Sequence, residues 1–161
     1  MRKINDKKEL IKLLSFISMG DGGLYKNADT NEYKFVMNMK KDNEDYIDYC
    51  IDILNNLVKV RKYDRKDYNQ DGCNRKPQIR IESRVHPILT LLHERIYTDK
   101  YKGLDPHALK MLDWECLAIL FMSDGSTCFK GKRKDRCITL NMKRLSYGDQ
   151  LLLKKALKDK I

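Results

Sequence analysis

The amino-acid sequence predicts an α+β fold of two tandem αββαββα units related by a pseudo-twofold, the second unit incomplete. An internal repeat carries this reading. Met19-Gly20-Asp21-Gly22 recurs as Met122-Ser123-Asp124-Gly125, and Phe35-Val36-Met37-Asn38-Met39-Lys40 recurs as Ile138-Thr139-Leu140-Asn141-Met142-Lys143. Both blocks return 103 positions later, so the copies align without a gap. In each copy the first block closes an apolar stripe of helical spacing, and the second has the character of a strand.

In the first unit, Asp6 predicts an N-cap, and Glu9 three residues on completes a capping box. Leu10, Leu13, Leu14 and Ile17 then recur at helical spacing, and Gly20 to Gly23 stops the helix. A strand pair is expected over 23–28 and 33–41, where Tyr33, Phe35, Met37 and Met39 alternate with Lys34, Val36, Asn38 and Lys40. An acidic helix over 44–57 follows, with Tyr46, Tyr49, Cys50, Ile53, Leu54 and Leu57 as its apolar face. A second strand pair is expected over 58–64 and 77–84, with Asn69-Gln70-Asp71-Gly72 as its turn. A helix over 86–97 closes the unit, which spans residues 1–105.

The second unit occupies 106–161. A short helix over 106–112 precedes a helix over 114–122 capped by Asp113, then strands over 127–131 and 136–143. Ser146 and Asp149 predict a capping box for a last helix carrying Leu151, Leu152, Leu153, Ala156 and Leu157. Ile161 aligns with Val58, so residues 59–105 have no counterpart. A complementary C-terminal segment of about 47 residues is therefore an expected partner. Trp114 is expected to anchor packing, and His86 and His93 to be structural.

Composition narrows the function class. A hydrophobic share of 42% excludes a disordered chain. The mean hydropathy is −0.64, and the longest apolar run, Cys116 to Met122, is far short of a membrane span. The N-terminus lacks a signal-peptide pattern. Five cysteines without a CxxC pair argue against a disulfide framework or a zinc ribbon, and point to a reducing, intracellular setting. Richness in Lys, Asn, Ile and Tyr suggests an AT-rich genome, such as that of a phage or an organelle.

Net charge is +10, which suggests a polyanionic partner. The charge is sorted along the chain. Asp42, Glu44, Asp45, Asp48 and Asp52 form an acidic block, whereas 127–144 holds Lys130, Lys132, Arg133, Lys134, Arg136, Lys143 and Arg144 against only Asp135. Such sorting fits one face on phosphates and another in water.

The segments Leu14-Ser-Phe-Ile-Ser-Met-Gly-Asp-Gly22 and Leu117-Ala-Ile-Leu-Phe-Met-Ser-Asp-Gly125 resemble the two motifs of LAGLIDADG homing endonucleases, in the monomeric double-motif branch. The third motif position, usually small, is Phe16 or Ile119, and the sixth, often Asp, is Met19 or Met122. The resemblance implies a metal-dependent endonuclease that cuts both strands of duplex DNA at a long site, with Asp21 and Asp124 as catalytic acids. It also implies a basic residue near each active site; Lys102 is the choice for one, and the other is expected in the complementary C-terminal segment.

The residues support the same chemistry. A carboxylate at a helix C-terminus is disfavoured by roughly 0.3–1 kcal/mol, and this chain accepts that twice. Two carboxylates brought together by paired helices repel unless a cation joins them. A hard divalent ion, Mg²⁺ most simply, suits Asp21 and Asp124 with the preceding Gly20 and Ser123. The strand pairs offer β-ribbons for the major groove. Their expected DNA-binding residues are Lys34, Asn38, Lys40, Arg61, Gln78, Arg80, Glu82 and Arg84 in the first unit. In the second they are Thr139, Asn141 and Lys143, with Lys130, Lys132, Arg133, Lys134 and Arg136 gripping phosphates around a hairpin tip. Two other functions suit the same fold: an RNA-binding intron maturase and a DNA-binding protein without catalysis.

Overall fold

Helix α1 (Lys7–Met19) starts where Asp6 accepts a hydrogen bond from the Lys8 amide. Glu9 does not reach back to complete the expected box; it pairs with Lys12 at 2.6 Å. The computed structural model describes residues 2–65, 77–98, 101–130 and 135–160. After α1 come β1 (Gly23–Lys26), β2 (Tyr33–Lys40), α2 (Glu44–Leu54), β3 (Val60–Arg65), β4 (Gln78–Val85) and α3 (Pro87–Ile96). The two expected strand pairs merge into one antiparallel sheet of order β1-β2-β4-β3. Period-2 patterning buries Phe35, Met37, Met39, Ile79 and Ile81 on one face of this sheet. Val36 departs from its alternating neighbours. It is buried beside a register shift between Lys34 and Val36.

The helices cover the apolar face of the sheet. Leu13, Leu14 and Ile17 of α1, Ile47, Ile53 and Leu54 of α2, and Leu89 and Leu92 of α3 are fully or almost fully buried in one core. His86 caps α3 through Nδ1, 3.1 Å from the Ile88 amide. His93 stacks between Tyr33 and Tyr97, with ring centroids 3.9 Å and 4.5 Å away. Both histidines are structural, as expected.

A feature absent from the sequence reading follows α3: the strands β5 (Tyr97–Thr98) and β6 (Tyr101–Lys102) pair antiparallel. Next come the short helix α4 (Pro106–Leu109), α5 (Trp114–Asp124), β7 (Gly125–Lys130), β8 (Asp135–Leu140) and α6 (Tyr147–Lys158). Asp113 caps α5 by accepting from the Cys116 amide at 2.9 Å, and Ser146 caps α6 with Asp149 in the expected reciprocal pair.

Four details correct the sequence reading. β8 ends at Leu140, so Asn141 and Lys143 lie beyond the strand. Trp114 is 70% exposed and does not anchor packing. Leu153 is the buried residue of α6, while Leu151 and Leu152 stand half exposed. Cys50 and Cys116 are free and buried as expected, but Cys137 is disulfide-bonded.

Candidate active site

Helices α1 and α5 pack against each other. Lys12 Nζ reaches Asp113 Oδ2 at 2.5 Å near the start of α5, and Gly20 meets Ser123 at its end. The two helices therefore run in the same direction, and Asp21 and Asp124 both emerge at the same end. Gly22 lets the chain turn out of α1 beneath β2: a Cβ there would lie 2.3 Å from the Phe35 ring and 2.7 Å from the Ile17 carbonyl.

The charge of Asp124 reaches Asp21. Partial burial and the charge of Asp124 raise the Asp21 carboxyl above its ordinary pKa, while Lys102 and Arg144 pull it down. A nearby like charge disfavours the ionised form of a carboxyl in this way.

Lys102 enters this site from β6. Its ammonium donates to the carbonyls of Gly20 and, at 2.6 Å, Gly22, so it bridges the turn that carries Asp21. Burial pushes the Lys102 pKa down to about 8; Asp124 and Asp21 oppose that fall and Arg144 adds to it. The backbone around Lys102 is fixed on both sides. The Tyr97 hydroxyl accepts from the Leu24 amide at 3.3 Å. Asp105, fully buried, accepts from Ser15 Oγ of α1 at 2.9 Å and caps α4.

A cleft of about 30 Å³ opens among Gly20, Lys102, Asp124, Asn141 and Arg144. The Asn141 amide donates to the Asp124 carbonyl at 2.7 Å, one register position beyond Gly125 and Leu140, which places Asn141 beside the acid at the foot of the β7–β8 ribbon. Sequence reasoning missed Arg144, which it counted only as part of a basic stretch. It also missed the contact of Tyr46, whose hydroxyl lies 3.1 Å from Ser123 Oγ and so ties α2 to the end of α5. The one available signal for Arg144 was its place immediately after the repeated strand block.

The outer face of the four-stranded sheet gathers the first unit's expected DNA-binding residues. Arg61 stands opposite Glu82, Asn38 and Tyr63 opposite Arg80, and Lys40 opposite Gln78. Asn38, Lys40, Arg61 and Arg84 are exposed. Lys62 faces the other way and pairs with Glu44 and Asp48 of α2 at 2.7 Å each, which neutralises part of the acidic helix. In the second unit Thr139 is exposed on β8, opposite Ser126. Lys130 and Arg136 lie on β7 and β8. Lys132, Arg133 and Lys134 fall outside the described residues.

A family model described as the LAGLIDADG DNA endonuclease family matches residues 17–161. The chain belongs to this family. The match takes in the last turn of α1 with Asp21 and the whole of α5 with Asp124. Among solved structures, the chain is similar to the homing endonuclease I-WcaI bound to its DNA recognition sequence, with a TM-score of 0.77 and 19% identity. That match covers 99% of this chain and 70% of that one, and it supports the α+β LAGLIDADG fold. A match to I-DmoI in complex with its target DNA, nicked in the coding strand and in the presence of Mn, has a TM-score of 0.46 and 15% identity, covering 93% of this chain and 75% of that one. No curated protein sequence matches the chain.

Proposed function

We propose that this LAGLIDADG protein is a site-specific endonuclease that binds duplex DNA on the outer face of its sheets and hydrolyses both strands, of the kind that mobilises an intron, an intein or a free-standing gene. The observation that carries the reading is the parallel pairing of α1 and α5, which brings Asp21 and Asp124 to the same end, close enough that the charge of Asp124 raises the Asp21 carboxyl. A protein that only bound DNA would have no use for that arrangement.

The donor chemistry fits a hard divalent ion, Mg²⁺ in this proposal. The groups at the site are carboxylate and backbone oxygens, and no cluster of three or more His, Cys, Asp or Glu competes among the described residues. Asp21 and Asp124 would hold the ion beside Gly20 and Ser123. When bound, it supplies the charge that activates water and offsets negative charge on the phosphodiester. Lys102, with its pKa near 8, places an amine that can accept a proton at the Asp21 turn. Arg144 adds a positive charge to the cleft, within reach of Asp21 and Lys102, where it would steady a phosphate.

The test is Asp21→Asn and Asp124→Asn, each assayed for Mg²⁺-dependent cutting of DNA that carries the gene's own insertion site. Both variants should lose double-strand cleavage and keep duplex affinity within a few-fold, with log affinity falling steeply against log salt. Variants that cut at the wild-type rate would remove the acids from the mechanism, and a flat salt dependence would remove the phosphate contacts.

A further inference from the structure

Glu82 is the one carboxylate among the described residues of the sheet's DNA-facing side. The other polar groups there on β2, β3 and β4 include Lys34, Asn38, Lys40, Arg61, Arg80 and Arg84. A carboxylate repels phosphates, so a surface meant only to grip a backbone is better without one. Glu82 is also held in place. One carboxylate oxygen accepts from Lys34 Nζ; the other accepts from the Tyr63 hydroxyl at 2.8 Å and faces Arg80 Nη2 at 3.4 Å. The cluster adjoins a cleft of about 450 Å³ lined by Lys34, Arg61, Tyr63, Glu82 and Arg84.

We infer that this cluster reads a single G·C base pair in the major groove, with Glu82 accepting from the cytosine amino group and Arg80 donating to the guanine edge. This rests on the DNA-binding reading above. In the major groove a G·C pair presents two acceptors on guanine beside one donor on cytosine, and an arginine next to a glutamate is the complementary pattern. A carboxylate has about four acceptor positions, so three donors leave room for one more. Arg80 is only loosely tied to Glu82, through Nη2 at 3.4 Å, so the terminal donors of its guanidinium are not used up within the protein. Lys34 and Tyr63 fix the carboxylate before DNA arrives, which lowers the cost of ordering it on binding. The Glu82 carboxyl is itself held below its ordinary pKa, first by the Lys34 hydrogen bond and then by Tyr63, so it is an acceptor at neutral pH.

The experiment is selection and sequencing of duplexes bound from a random pool by the full chain, its Glu82→Gln variant and its Tyr63→Phe variant. The wild type should enrich one G·C position. Glu82→Gln should lower that preference by about tenfold and admit A·T there, because glutamine's side chain pairs with adenine. Tyr63→Phe should weaken the same position and no other. An unchanged preference in Glu82→Gln, or a loss spread evenly over every position, overturns the assignment and leaves DNA binding standing. A wild-type chain that retains no duplex overturns both.

Discussion

Ser123 fills the space in front of Gly20: a Cβ at Gly20 would lie 2.2 Å from Ser123 Oγ and 2.7 Å from Ser123 Cβ. These two residues hold the same motif position in the two copies, and both lie one residue before an acid. The pair is asymmetric because a serine on each side would collide. Tyr46 holds the serine in place through its hydroxyl, and burial keeps that phenol well above its ordinary pKa and therefore neutral.

Gly20→Ala should therefore force α1 and α5 apart or push Ser123 off Tyr46. Overpacking of this kind costs about 1–3 kcal/mol, and cleavage should fall with stability because the acids sit at the displaced ends. Adding Ser123→Gly should restore most of both losses, since removing the opposing Cβ and Oγ reopens the space. A double-mutant cycle on thermal unfolding and on cleavage rate measures the coupling.

Much of this was legible in the sequence, where short-range chemistry decides. Asp6, Asp113 and Ser146 mark helix starts, and each is an N-cap. What escaped depends on long-range neighbours. Strands of two residues, such as β5 and β6, are too short for a period, yet they deliver Lys102. β8 stops at Leu140, where its partner strand β7 begins at Gly125, and the Asn141 amide still bonds in register to the Asp124 carbonyl at the end of α5. Trp114 and the leucines of α6 show the general limit: an apolar pattern reports which residues suit burial, not what covers them. The acids could be found because they repeat. Arg144 reaches the cleft through a loop whose path no local pattern encodes.

Lys102→Met should lower the rate of DNA cleavage by roughly 10²–10⁴, the range of a lost acid–base group. Duplex affinity should change only a few-fold, because Lys102 points at the Asp21 turn and not at the sheet face. The Gly20 and Gly22 carbonyls would lose a charged donor, so a stability loss of about 1–3 kcal/mol should accompany the change. Single-turnover cleavage with saturating DNA separates the two effects, since a folded, DNA-bound variant that still cuts slowly has lost chemistry rather than structure.

The ion pair between Lys12 and Asp113 ties the two motif helices at the end opposite the acids, and it sets two pH limits on stability. Partial burial alone would raise the Asp113 carboxyl, but the hydrogen bond from Lys12 and the Cys116 amide outweigh it and hold the pKa at about 2, below the ordinary 3.8. A depressed carboxyl contributes stability above its unfolded pKa and loses it as pH falls, here between pH 3.8 and about 2. Burial lowers Lys12, yet its bonds to Asp113 and Glu9 more than compensate and raise it above 10.5, so its contribution is complete below that pH and fades above it. Asp113 is nearly half exposed, and screening leaves the pair about 1 kcal/mol, or a few degrees of thermal midpoint. Asp113→Asn keeps a capping side chain and removes the charge. It should therefore lower the melting temperature at neutral pH and flatten the acid limb, while leaving α5 helical by circular dichroism. Melting curves from pH 2 to pH 7 check this, and an acid limb as steep in the variant as in the wild type would assign the loss to other carboxylates.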